Sequence, residues 1–248
     1  MGTPANSPLT TVKLLDRTEV AENTMAFRFA RPSGWTFKAG QALDLTLLNP
    51  AESDAEGNTR AFSIASAPYE PELMIATRMR GSALKRVLKK LPAGTEVRIE
   101  GPFGNFGLHN KASRPAVILA GGIGITPFRS MVFDAAHERR PHHIYLFYCN
   151  RRPEDAPFLE ELDALQQRNP NYKLIATMTQ MRNSRRRWDG EASRIDIEML
   201  DRHIPGRAAA EPVYYIAGPP AMVQGLYGML TAGGVDSDDI RAEEFPGY

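Results

Sequence analysis

Residues 118–128 read ILAGGIGITPF: an apolar run passes directly into three glycines, a threonine and a proline. The run starts at Ala116, and AVILA is apolar at every residue, as expected of a strand covered on both faces. Gly121, Gly122 and Gly124 let the backbone approach a ligand with no Cβ in the way. Thr126 suits the cap of a following helix, and Pro127 suits its first position, where a missing N–H costs nothing. In a parallel sheet the loop from a strand's carboxyl end to the next helix is where ligands bind. The N–H groups of a helix start there suit an anion, most simply a phosphate. A tight strand–helix turn without a ligand accounts for the same residues. The stretch has no Lys followed by Ser or Thr, so it is not a P-loop, and it lacks the full dinucleotide fingerprint.

The construction returns at YYIAGPPAM (214–222), another strand, glycine turn and proline-started helix. Two such turns in one sheet would hold an extended ligand between them, which points to a dinucleotide. Strand-like HHIYLFYC (142–149) and YKLIATM (172–178) lie between them, as do helix-like DAPFLEELDALQQ (155–167) and a short helix near RIDIEML (194–200). AMVQGLYGMLTAG (221–233) gives a last helix. This alternation predicts a parallel α/β sheet over residues 113–248.

Residues 1–112 keep a different rhythm. In FKAGQALDLTLL, Leu43, Leu45 and Leu47 share one face. TEVRIEG repeats the pattern with Val97 and Ile99, and TMAFRFARP with Phe27 and Phe29. Short alternating strands between Gly, Pro and Asn predict an antiparallel β-barrel or sandwich. One helix interrupts it, SALKRVLKKL, with Leu84, Val87, Leu88 and Leu91 at helical spacing. The boundary falls near HNKASRP.

Composition narrows the function. The 248 residues carry a net charge of +1, which gives no average bias toward nucleic acid or membrane. The single cysteine, Cys149, excludes an intrachain disulfide and the four thiolates of an ordinary iron–sulfur cluster, and no metal site is expected. MGTPANSPLT lacks the sections of a signal peptide, and no apolar run approaches the roughly 20 residues of a membrane span. The expectation is a soluble, cytoplasmic protein.

Four pieces in order, RAFSIAS (60–66), GPFGNF (101–106), GGIGITP (121–127) and AGPPAM (217–222), resemble the ferredoxin–NADP reductase superfamily. The resemblance covers nearly the whole chain. It implies a flavin-binding β-barrel (1–112) followed by a nicotinamide-dinucleotide domain (113–248), with FAD and NADPH as cofactors and NADH as the alternative donor. The family's Arg-x-Tyr-Ser motif falls on Arg60, Ala61, Phe62 and Ser63. Arg60 would pair with the flavin diphosphate and Ser63 would hydrogen-bond near flavin N5. Phe62 departs from the family's Tyr. It can pack on the ring but offers no phenolic hydrogen bond. TRMRGSALK (77–85) resembles the second flavin segment, with Thr77, Ser82 and Lys85 as candidate contacts. The GGIGITP turn would receive the dinucleotide, with Thr126 close to the nicotinamide.

Gly218 and Pro219 form the second dinucleotide turn, where Ala217 replaces the family's frequent Cys. In the final RAEEFPGY, Glu243 and Phe245 match an acidic residue and an aromatic that covers the flavin, and Tyr248 is a second candidate cover. An aromatic there would have to move for the nicotinamide to stack. A 2′-phosphate calls for positive charge, which Arg151, Arg152 and the run Arg182, Arg185, Arg186 and Arg187 offer after two successive strands. Relatives that prefer NADH also carry an Arg after the first of these strands. Lys85, Arg86, Lys89 and Lys90 would steer an acidic one-electron carrier, ferredoxin or flavodoxin, to the flavin; solubility explains the same charges. Alternative readings are a free-flavin or ferric-chelate reductase, and a non-catalytic flavin-binding redox module or electron-transfer subunit.

Overall fold

The fold is that of a computed structural model, which describes residues 9–245. The alternating half forms β1 (Thr10–Ala21), β2 (Thr24–Ala30), β3 (Ala42–Leu47), β4 (Thr59–Ser63), β5 (Glu72–Arg78) and β6 (Glu96–Phe103). They pair antiparallel in the order β4-β3-β6-β1-β2-β5. Just past β4, the N–H groups of Ala65 and Ser66 donate to the Met74 carbonyl on β5, which joins the two edges and closes the barrel. The faces read from alternation hold: Leu43, Leu45, Leu47, Val97, Ile99, Phe27 and Phe29 are all buried. Helix α1 (Ala83–Lys90) adds Leu84, Val87 and Leu88 to this core, while Leu91 ends the helix as its C-cap.

The second half forms β7 (Ala116–Gly121), α2 (Ile125–His137), β8 (Ile144–Asn150), α3 (Leu159–Ala164) and β9 (Tyr172–Met178). It continues with α4 (Ile197–His203), α5 (Arg207–Ala210), β10 (Val213–Gly218), α6 (Pro220–Ala232) and β11 (Ile240–Glu244). The sheet is parallel throughout, in the order β11-β10-β7-β8-β9. Residues of α2 and α3 cover one face and residues of α4 and α6 the other, which is why β7 and β10 are buried at every residue. The chain steps outward from β7 to β9 and then returns to β10 on β7's other side. The crevice of such a sheet opens at that switch point, beyond the carboxyl ends of the strands.

Three local expectations are corrected. Gly122–Gly124 form a 3₁₀ turn that runs into α2, so the helix starts earlier than the cap reading placed it. Thr126 lies inside α2, where its hydroxyl donates to the Ile123 carbonyl (3.1 Å) instead of capping free N–H groups, and Pro127 takes the third helical position. The helix expected over 155–167 shrinks to α3 with 3₁₀ turns on either side, because Phe158 sits in the left-handed region (φ 63°) immediately before it. The C-terminal segment also pairs as β11 with β10, a strand that alternation does not announce. Tyr248 lies outside the described residues.

One apolar cluster crosses between the halves, joining Ala26, Met74, Ala76 and Phe106 of the first to Ile118, Phe128 and Met131 of the second. Arg129 of α2 sits in this contact, only 5% exposed. Its guanidinium donates to the Ala65 carbonyl (2.8 Å), to Glu70 (2.9 and 3.1 Å) and to Glu161 of α3 (2.6 and 3.1 Å). The rings of Phe133 and Phe158 flank it at 4.5 and 5.3 Å. The Ser130 hydroxyl donates to the Ser66 carbonyl (2.7 Å) alongside. The connecting segment is held as well: the Tyr215 hydroxyl accepts from the His109 N–H (2.8 Å), and Arg241 donates to the Gly107 carbonyl (2.7 Å). Removing one partner of a buried ionic network strands the others. Arg129→Met should therefore lower the unfolding free energy by about 3 kcal/mol in urea denaturation. Arg129→Lys should recover only part of it, because an ammonium cannot fork to two carboxylates. Full recovery by Lys would contradict the network.

Candidate functional site

The two glycine turns meet each other at the switch point. A Cβ on Gly124 would lie 2.3 Å from the Ala217 carbonyl oxygen and 2.6 Å from the Gly218 nitrogen. One on Gly121 would lie 2.2 Å from Met222 Sδ and 3.2 Å from Pro219 Cδ. Gly122 has φ +51°, in the left-handed region. Gly124 is thus required by backbone packed against backbone, Gly121 makes room for the Met222 and Pro219 side chains, and these contacts bring the ends of β7 and β10 side by side.

Against these turns lies a cleft of about 570 Å³ walled by both halves of the chain. Arg60, Ala61, Phe62, Ser63, Thr77, Ser82 and Lys85 line it from the barrel side, and Ile123, Thr126 and Phe245 from the sheet side. Nine of these ten were named from sequence; Ile123 was not, nor were Arg78, Arg80 and Glu56 on the same wall. One end is apolar (Phe62, Ala76, Ile123, Phe245) and the other cationic (Arg60, Arg80, Lys85). Phe62 packs on the barrel core while facing the cleft, so its structural and site readings coexist. Ser82 caps α1, accepting from the Lys85 N–H (3.4 Å). Burial, and then repulsion from Arg60 and Arg80, pushes the Lys85 ammonium below its ordinary pKa, a surplus of positive charge that an anion relieves. A flat apolar ring with an anionic tail fits this shape and chemistry, as FAD requires. At the cationic end Arg60 already has partners, Asp54 (3.2 Å) and Glu56 (2.6 Å).

A second cleft, about 560 Å³, opens over the carboxyl ends of β8, β9 and β10. Cys149, Arg151, Thr179, Arg194, Pro219 and Met222 line it. Burial raises the Cys149 thiol above its ordinary pKa, and Cys149 on β8 pairs in register with Gly121, with β7 standing between it and Ala217 on β10. The arginine-rich loop is placed differently from expectation. Arg152 pairs with Asp155 and Glu22, Arg185 with Glu22, and Arg186 with Glu160, so these cations tie loops together. Arg151 remains at the cleft and is joined by Arg194, which no sequence pattern marked; among the described residues neither has an ion-pair partner. Larger clefts of about 690 and 670 Å³ lie along β9 and beside the 104–110 segment, away from the glycine turns.

Glu243 stands in register with Ala217, and the Phe245 N–H donates to the Gly218 carbonyl (3.0 Å). The β11 pairing therefore delivers Phe245 to the first cleft. Among the described residues the Glu243 carboxyl has no partner, and burial pushes it up to about 7. No helix of the described residues is long and apolar enough to cross a membrane, and among them no cluster of three or more His, Cys, Asp or Glu is placed to hold a metal.

Two adjoining clefts, one fit for a flavin and one at the nucleotide crevice of a parallel sheet, define a flavin- and nicotinamide-dependent oxidoreductase. Residues 11–107 match the oxidoreductase FAD-binding domain and residues 118–227 the oxidoreductase NAD-binding domain. The chain belongs to the ferredoxin–NADP reductase superfamily. It is 28% identical over 212 residues to the reductase component of phenol 2-monooxygenase from Pseudomonas sp., a match covering 84% of this chain and 58% of that protein. It is also 28% identical over 201 residues to a subunit of the Na(+)-translocating NADH-quinone reductase of Haemophilus ducreyi (76% of this chain, 49% of that one). The chain thus spans about half the length of these curated relatives. The fold is shared with the FAD/NAD-binding domain of nitric oxide dioxygenase from Vibrio cholerae, at TM-score 0.80 and 19% identity over 95% of this chain and 98% of that one. It is shared too with a ferredoxin NADP+ reductase from Neisseria gonorrhoeae, at TM-score 0.76 and 21% identity over 95% and 98%.

The raised Glu243 carboxyl has a measurable consequence. An unfolded glutamate ionises near 4.5, whereas the folded one keeps its proton to about 7. Between these values the folded chain binds the extra proton, so stability falls as pH rises through that window. Glu243→Gln removes the loss, so the Tm advantage of the variant over wild type should grow from about pH 5 to about pH 8. An advantage that does not change with pH would contradict the raised carboxyl.

Proposed function

We propose that this protein is an NAD(P)H-dependent FAD reductase that hands electrons to a separate acidic carrier protein such as a ferredoxin or flavodoxin. The carrying observation is the cleft in which Ser63 and Phe62 of the barrel face Thr126 and Phe245 of the sheet, beside the paired glycine turns. In this reading residues 1–112 hold FAD and residues 113–248 the dinucleotide. Arg60, Ser82, Lys85 and the backbone at the start of α1 hold the flavin diphosphate, with Ala61 and Thr77 in the same wall. Phe62 packs on the ring, and Ser63 presents its hydroxyl to the ring's reacting edge. Bound FAD would supply hydride acceptance from the nicotinamide and release of electrons one at a time. Gly121, Gly122, Gly124, Gly218 and Pro219 let the dinucleotide lie against backbone, and Thr126 closes the nicotinamide end. Phe245 covers the ring and swings aside for the nicotinamide, while Glu243 holds a proton beside it.

Arg151 and Arg194, at the nucleotide cleft without carboxylate partners among the described residues, support NADPH as donor. The names of five relatives, four quinone reductase subunits and a nitrate reductase, carry NADH, which makes it the comparison donor. Relatives named as reductase components of oxygenases support transfer to a second protein. Mixed anaerobically, NADPH should bleach the bound flavin's visible absorbance faster than NADH. A bound flavin that neither donor bleaches would refute the catalytic reading and leave a binding module.

For the acceptor, α1 exposes Lys89 and Lys90 on the helix that borders the flavin cleft. Lys89→Glu with Lys90→Glu should slow reduction of an acidic carrier by about tenfold at low salt, because steering by surface charge is lost. Reduction of a small neutral dye should be unchanged. Equal losses in both assays would refute docking at α1.

A further inference from the structure

The loop between β3 and β4 folds back over the start of α1 and is fixed there. Glu52 pairs with Arg86 (2.8 Å), and the Ser53 hydroxyl donates to Asn58 Oδ1 (2.7 Å). Asp54 Oδ2 accepts the N–H of Ala83, the first residue of α1 (2.8 Å). Asp54 Oδ1 accepts from Arg60 Nη2 (3.2 Å) and from the Glu56 N–H (3.1 Å). Glu56 Oε2 takes the same Nη2 at 2.6 Å. Arg60 Nη1 is engaged by the carbonyls of Glu56, Gly57 and Thr59, at 2.8, 3.1 and 2.7 Å.

The two donors a phosphate would use here, a guanidinium and a helix-start N–H, are therefore already bound to carboxylates of the same chain. Carboxylate and phosphate compete for such donors with similar geometry, and as like charges they cannot share them closely. Asp54 is well fitted to compete: the Ala83 N–H holds its carboxyl below the usual range, so it stays ionised. The part of the cleft that would take the flavin ring is elsewhere. Ser63 lies three residues further along β4 than Arg60, about 10 Å away at the rise of a strand.

Resting on the flavin-cleft reading, we propose that Asp54 and Glu56 set the flavin specificity of this site. By occupying the donors of Arg60 and α1 they penalise the phosphates of FMN and FAD and leave the ring and ribityl chain untouched. A phosphorylated flavin binds by displacing the two carboxylates, with Lys85 and Arg80 on the same wall to receive it. Riboflavin, with no phosphate, requires no displacement.

The test uses the full chain, equilibrated in turn with FAD, FMN and riboflavin, with dissociation constants read from flavin fluorescence. The variants are Glu56→Gln alone, Asp54→Asn with Glu56→Gln, and Glu52→Gln. Asparagine keeps an oxygen for the Ala83 N–H without the charge, and Ser82 still caps α1. The double variant should bind FAD and FMN about tenfold more tightly while riboflavin moves less than about twofold. Glu56→Gln should show part of this effect, and Glu52→Gln, which loosens the same loop at Arg86 only, should show none. Equal tightening of all three flavins would overturn the proposal, because the loop would then act by bulk rather than charge. Weaker or unchanged FAD binding would also overturn it, showing that the carboxylates preorganise Arg60 for the phosphate. A wild-type chain that binds none of the three flavins would overturn the flavin-cleft reading itself, and this proposal with it.

Discussion

The burial of one guanidinium governs how the two halves of this chain meet. A charge that is 5% exposed is tolerated only when every donor is answered, and Arg129 is answered by two carboxylates, a carbonyl and two flanking rings. Those partners come from three parts of the chain. Ala65 and Glu70 follow the strand that carries Arg60 to Ser63, Arg129 follows the glycine turn by five residues, and Glu161 belongs to α3. The same interaction therefore sets the spacing between the Ser63 wall and the Thr126 wall of the cleft.

A steric constraint acts beside this electrostatic one. With no Cβ at Gly121 and Gly124, the turns after β7 and β10 close on each other, and Pro219 and Met222 fill the space a side chain would take. The dinucleotide crevice is thus shaped by glycines that serve packing first. This explains why neither of the common phosphate-binding glycine patterns is needed for a nucleotide site at this switch point.

Much of this was legible in the sequence, for physical reasons that differ by element. Period-two alternation identified β2, β3 and β6, because burial on one face is what alternation records; it did not mark β5, whose middle is buried throughout, or β1, where only Val12 and Leu14 of twelve residues are buried. β11 escaped because it is short and charged. The resemblance located nine residues of the first cleft, each carried on a contiguous motif. What stayed hidden was the pairing of charges. Arg152, Arg185 and Arg186 look like free cations in sequence, yet their carboxylates lie on Glu22, Asp155 and Glu160. Arg129 sits inside an apolar helix, and nothing near it in sequence announces Glu70 or Glu161. Asp54 and Glu56 read as a polar loop until the fold lays them on Arg60.

The connection between the halves carries a kinetic consequence. Its backbone is held through His109 and Gly107 to residues of the central sheet, and the apolar cluster continues across the boundary. Opening the molecule by rotating one half against the other would break all of these contacts together, a collective motion of microseconds to milliseconds. A rotation of the Phe245 side chain on a backbone tethered at Gly218 leaves the His109 and Gly107 ties in place and gives up only that ring's packing at the edge of the apolar cluster. The two halves are therefore tied as one mechanical body, and Phe245 stands at the cleft as the side chain free to turn while its backbone stays fixed.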